Sequence, residues 1–187
     1  MTIWELKNGS MNDVASLVYG DQADLAADTF GGDGRVLKWS ERPRVSLLVE
    51  PRQKKPKPRV DISALRPGAL VLNERAKHAL GEFLSQFGQL LELDLEGSTE
   101  WFYNVTNVID CIDLERSEKR ASGTIAKEVF VEAKLPVQPV IFKVPQTARA
   151  KIYANDAAKS LLEDLLSRDR ISGSAFAEPG APVRPLR

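Results

Sequence analysis

The sequence predicts an α+β fold: a mostly antiparallel sheet with two packed helices in related strand–helix units. Three observations lead there. Asn73–Leu84 and Asn155–Leu166 each place apolar residues at helical spacing behind an asparagine, and each follows a short apolar run. Residues 89–113 alternate apolar and acidic positions and then become aromatic and β-branched. Further short runs rich in Val, Ile and Phe are bracketed by proline and glycine. The chain has 187 residues, close to one domain at about 150 residues each.

Taken in order, Ile3–Leu6 reads as an opening strand. Val14, Leu17 and Val18 have helical spacing, cut short by Gly20. Gly31-Gly32-Asp33-Gly34 is a turn signal suited to a hairpin. It lacks the Lys-Ser/Thr that a phosphate-cradling loop would carry next. Val45–Glu50 has strand composition. Pro51–Arg59 holds three prolines and five basic residues in nine positions, which excludes a helix or central strand. That run reads as a solvated loop, with nucleic-acid or partner contact as the alternatives.

Ala69–Leu72 then forms a short buried strand and Asn73 a helix cap. Ala76, Leu80, Phe83, Leu84 and Phe87 make one stripe, His78 falls on the opposite face, and Gly88 suits a left-handed helix end. Leu91, Leu93 and Leu95 face one way, and Glu92, Asp94 and Glu96 the other. A long strand, Trp101–Asp113, completes a hairpin. Ile125–Val131 and Val140–Val144 follow as strands. Ile152–Ala154 leads into the second capped helix, and Ser174–Glu178 adds a last strand. At an offset of 82 residues, Asn73–Leu84 and Asn155–Leu166 agree at 5 of 12 positions. An internal duplication and two helices obeying one capping rule both account for that. The organisation is therefore an N-terminal irregular/β region over 1–60, an α+β core over 61–178 and a loose tail over 179–187.

Composition removes several functions. The single cysteine, Cys111, rules out an intramolecular disulfide, and it reads as a buried structural thiol. The single histidine, His78, leaves no His pair and no multi-His metal site. Lys+Arg and Asp+Glu number 26 each, so no basic excess points to nucleic acid or a membrane surface. The N-terminus shows no charged stretch followed by an apolar run, so a cytoplasmic location is expected. Two glycosylation sequons, at Asn8 and Asn104, are read as chance matches.

Charge is nevertheless patterned. Residues 89–115 hold seven carboxylates and no Lys or Arg, whereas residues 35–67 hold ten basic and three acidic residues. Glu92, Asp94 and Glu96 would stand about 6.6 Å apart on one strand face. This strip, extended by Glu100, Asp110 and Asp113, reads as a solvated face or as a partner-binding surface. The spacing is too wide for the carboxylates to share one metal ion easily. Asp110 and Asp113, three apart on a strand, point to opposite faces, which weighs against a shared acid/base role. An enzyme or small-ligand domain using Asp110 or Asp113 stands as the alternative reading, and homodimerisation through an open sheet edge also stays open. No cofactor is expected.

Three blocks occur in order: Leu72-Asn-Glu-Arg-Ala-Lys77 with Leu80; Tyr103-Asn-Val-Thr-Asn-Val-Ile-Asp-Cys-Ile-Asp113 with Ser117; and Ile141-Phe-Lys-Val144, Ile152-Tyr-Ala-Asn-Asp-Ala-Ala-Lys159, Gly173 and Phe176. Across about Val71 to Phe176 they resemble a bacterial domain of unknown function. It is grouped with the immunity proteins of polymorphic-toxin and secreted-effector systems, as the eleventh-numbered immunity class. The family more often has Ser before Glu-Arg; here Asn73 keeps the cap. The resemblance implies a cytoplasmic, non-catalytic protein that binds and neutralises a cognate toxin or effector. The first 60 residues lie outside it and are free to carry partner specificity.

Overall fold

A computed structural model describes residues 1–9, 14–21, 28–49 and 57–181. The fold is α+β, and its mostly antiparallel strands divide into two main sheets and a short ribbon. Most of the basic run, residues 50–56, and the end of the tail, 182–187, lie outside the described residues.

Strand β1 (Ile3–Asn8) is central to the first sheet. It pairs antiparallel with β11 (Tyr153–Asn155) on one side and β12 (Ser174–Ala177) on the other. Strand β10 (Ile141–Phe142) extends this sheet beyond β11. The chain's two ends are thereby woven into one sheet.

The second sheet runs β2 (Leu17–Tyr19), β3 (Arg44–Leu47), β6 (Gly88–Leu95), β7 (Ser98–Val105), β5 (Ala69–Leu72) and β4 (Ile62–Arg66). All neighbours are antiparallel except β3 and β6. Its edges β2 and β4 approach each other, and the Ala15 amide donates to the Pro58 carbonyl at 3.0 Å, so the sheet nearly closes on itself. Leu17, Val45, Leu65, Val71, Leu93, Leu95 and Phe102 fill the interior with Phe30 and Leu37. Phe30 packs on Tyr19, Trp39 and Phe102 with ring centroids 5.1–5.5 Å apart, within the range of favourable edge and offset geometry.

Helices α1 (Glu74–Leu84) and α2 (Asp156–Arg168) join the sheets through one core. Leu70, Leu72, Leu80, Leu84 and Tyr103 meet Leu6, Ile141, Ile152, Ala154 and Leu162 there. Both caps form as the sequence predicts: Asn73 Oδ1 accepts from the Ala76 amide and Asn155 Oδ1 from the Ala158 amide, each at 2.9 Å. The two units differ in placement, since β5 and β11 belong to different sheets.

Several local expectations change. Leu17 lies on a strand, not in a helical turn. Gly31–Gly34 forms no hairpin; it is a loop drawn inward by the buried Lys143 and the half-buried Arg66. Gly88 does not end α1, whose C-cap is Ser85; it opens β6. A Cβ on Gly88 would sit 2.3 Å from the Asn104 carbonyl oxygen, so close approach of the paired strand explains the glycine. The expected strand Trp101–Asp113 stops at Val105. There the Asn107 side chain donates to the Ile141 carbonyl and its own carbonyl accepts from the Lys143 amide, which carries the chain over to the first sheet. The expected strands 125–131 and 140–144 shorten to β9 (Ile125–Lys127), paired with β8 (Glu118–Lys119), and to β10.

Candidate partner-binding cleft

The acidic strip is met by the basic stretch. Arg42 pairs with Glu92, and Arg44 stands 3.9 Å from Asp94. Glu100 points into the interior of the nearly closed sheet, across from Leu93, where it is buried and paired with Arg59 at 2.5 Å. Glu96 leaves the strand, because Glu96 and Gly97 form the two-residue turn of the β6–β7 hairpin. Both have positive φ, 51° and 91°, as a primed turn requires. Glu96 Oε1 accepts from the Leu47 amide.

Asp110 and Asp113 are not on this strip. Asp110 is exposed and accepts from Gln146 at 3.1 Å. Asp113 caps a turn by accepting from the Glu115 and Arg116 amides. Cys111 is fully buried, and burial first, with the Asp110 charge second, pushes its thiol up to about 11. His78 is exposed. The structure therefore separates the six residues: Glu92 and Asp94 are salt-bridged, Glu96 and Asp113 shape turns, Glu100 is interior, and Asp110 is exposed on the far side of the crossover.

A different constellation opens to the surface. A cleft of about 1050 Å³ lies between β1, the β8–β9 hairpin and the 146–151 segment. Glu5, Lys7 and Lys151 form its floor, and Glu128 lies beneath. Strand alternation puts Glu5 and Lys7 on one face of β1. Their charged ends are 3.2 Å apart, and Lys7 also donates to the Ala181 carbonyl. Lys151 lies 2.5 Å from Glu128 and 3.9 Å from Glu5. The Tyr153 hydroxyl donates to Glu128 at 2.9 Å and shares a second 2.9 Å bond with Thr147.

Burial raises the Glu5 carboxyl above its ordinary value, against the pull of Lys7 and Lys151, and the Glu128 charge adds to the rise. Burial, joined by the Glu128 charge, raises the Tyr153 hydroxyl as well, so it stays a donor. Two carboxylates thus face two ammonium groups, a near-balanced floor. At the rim, Lys119 and Arg120 are exposed, and neither side chain has an ion-pair partner among the described residues. Leu114, Ile125 and Ala126 add apolar wall. A second concavity, of about 790 Å³, runs past Trp39, but its cations Arg35, Arg42 and Arg44 are engaged by Asp28, Glu92 and Asp94.

No protein-family model matches this chain, and no curated protein matches it significantly. Among the described residues, no helix is long and apolar enough to cross a membrane.

None of the cleft residues stood out in the sequence. Glu5 and Glu128 sit among apolar strand residues, and Lys151 precedes an apolar run. Charges at such positions are a weak hint of buried pairing, but Glu5 and Lys151 are far apart in the chain and nothing local links them.

Proposed function

We propose that this protein is an immunity protein that binds and neutralises a cognate bacterial toxin or secreted effector, by occupancy rather than catalysis, in the cytoplasm of the producing cell. The observation that carries this reading is the ordered set of blocks that resemble the immunity family. Those blocks fall on framework positions. Leu72–Leu80 closes β5 and opens α1; Tyr103–Asp113 leaves β7 and crosses between sheets; Ile141–Val144 and Ile152–Lys159 supply β10, β11 and the start of α2. A standard interface takes about 800 Å² per partner, and a chain exposing 10697 Å² has ample surface for one.

The test is co-expression with the reading frame next to this gene, scored by cell survival and by co-elution in size exclusion. Survival together with a stoichiometric complex is the expected result. A harmless neighbour with no complex overturns the reading, and rescue without a complex replaces it with an enzyme that repairs damage or modifies the toxin.

A further inference from the structure

The cleft beside the β8–β9 hairpin carries charge the fold does not consume. Its inner lysines are satisfied: Lys7 by Glu5 and the Ala181 carbonyl, Lys151 by Glu128 and Glu5. Its outer cations, Lys119 and Arg120, have no ion-pair partner among the described residues. Lys119 lies opposite Ile125 in the ribbon, so an exposed ammonium stands beside an apolar side chain on one face. The nearest acidic residue in the ribbon, Glu118, is opposite Lys127 and so has a cation across from it. Leu114, which lines the same cleft, is 44% exposed. Exposed apolar surface beside unpaired positive charge favours a ligand that offers both apolar and anionic groups. At about 1050 Å³ the cleft stands at the top of the usual 300–1,000 Å³ range of ligand pockets and has room for a short peptide segment.

We propose that this cleft seats an acidic, partly apolar peptide segment of the partner. Its carboxylates meet Lys119 and Arg120, and its apolar side chains meet Leu114, Ile125 and Ala126. The identity of that partner as a toxin rests on the function proposed above; the chemistry of the segment rests on the cleft. Glu5 and Glu128 position the inner lysines and keep their charge from repelling one another. The partner's acidic groups therefore add to the rim without having to displace a floor ion pair.

Two measurements test this separately from the immunity reading. The first is fluorescence anisotropy of the full chain with a labelled peptide of alternating Asp and Leu, and with a Lys-Leu control. Saturable binding of the acidic peptide is expected, weakened at least tenfold in Lys119→Glu with Arg120→Glu and weakened by added salt. The variant pair is exposed, and an unchanged thermal unfolding curve checks its fold. No saturable binding, equal binding of the basic peptide, or an unaffected double variant each overturns the cleft assignment. The second measurement repeats the co-expression test with the same variant. Wild-type protection that is lost together with co-elution supports the cleft as the toxin site. Protection and complex retained in full by the variant overturn the cleft and leave the immunity reading intact. Failure of the wild type to protect overturns the immunity reading, and with it the toxin as occupant.

Discussion

Lys143 is a buried cation that the sequence did not mark. It lies in Ile-Phe-Lys-Val at the end of β10 and is 1% exposed. Its ammonium donates to the Gly32 carbonyl at 2.8 Å and the Gly68 carbonyl at 3.3 Å, and no carboxylate among the described residues pairs with it. Beside it Arg66 donates to the Phe30, Gly31 and Arg149 carbonyls. Two cations thus hold the glycine loop inward, where the sequence suggested only a turn. Burial first, and the Arg66 charge second, lower the Lys143 amine to about 8 from 10.5. Between those values the unfolded chain binds more protons than the folded one, so stability rises with pH across about 8 to 10. A fall from 10.5 to about 8 bounds the gain at roughly 3 kcal/mol. The raised Cys111 thiol acts the other way above about pH 9, and the buried Tyr103 and Tyr153 above about pH 10, because the unfolded chain releases their protons first. Urea unfolding at pH 7, 8.5 and 9.5 checks this. The midpoint should climb from pH 7 to 8.5 in the wild type and fail to climb in Lys143→Met, whose raised Cys111 thiol lowers it above about pH 9; a level wild-type profile between pH 7 and 8.5 would refute the account.

The two capped helices show what the sequence made legible at the scale of elements. An asparagine before each apolar stripe marked both starts, because the side chain must satisfy an amide the helix leaves free. What the spacing could not display is how many other groups each asparagine serves. Asn73 accepts from Ala76 and donates to Asp61. Asn155 is fully buried, accepts from both Ala158 and Val140, and donates to the Pro136 and Gln138 carbonyls. Asp61, which no sequence signal singled out, links the start of α1 to the segment after α2. It accepts from Asn73, Arg75 and the Ser172 amide and hydroxyl, while Arg75 reaches the Asp169 and Arg170 carbonyls. Burial opposes ionisation of Asp61, yet the bonds from Ser172 and Asn73 and the charge of Arg75 outweigh it and lower the carboxyl. Losing a cap alone costs about 1 kcal/mol, and orphaning further buried groups adds about 1–3 kcal/mol. Asn73→Ala should therefore cost about 1–2 kcal/mol and Asn155→Ala about 3–4 kcal/mol. Chemical denaturation of the two variants compares them, and equal losses would mean that the additional bonds of Asn155 contribute nothing.

Across the whole molecule, the opposed charge blocks were plain in the sequence, and their destination was not. A basic stretch over 35–67 and an acidic one over 89–115 suggested a surface waiting for a partner. In the fold β3 lies parallel to β6, and this brings Arg44 into register with Asp94, with Arg42 near Glu92, while Arg59 reaches Glu100 from the segment that leads into β4. The pairing of distant strands, which no local pattern encodes, turns the blocks toward each other. Among the described residues the cleft is a surface these pairings leave open, built from charges scattered singly between strand residues. The three pairs should not contribute alike. Glu92 is about half exposed, and surface pairs are worth about 0–1 kcal/mol after solvent screening. Glu100 is 8% exposed at its side chain, and Arg59 27%. Removing one partner of a buried pair strands the other charge and costs about 3–5 kcal/mol, somewhat less here because Arg59 keeps some contact with water. Glu92→Gln and Asp94→Asn should thus shift the unfolding free energy by under about 0.5 kcal/mol each, and Glu100→Gln by about 2–4 kcal/mol. If Glu100→Gln proves as mild as the other two, the interior pair is not holding β4 to β7, and the near-closure of the sheet must rest on its apolar interior alone.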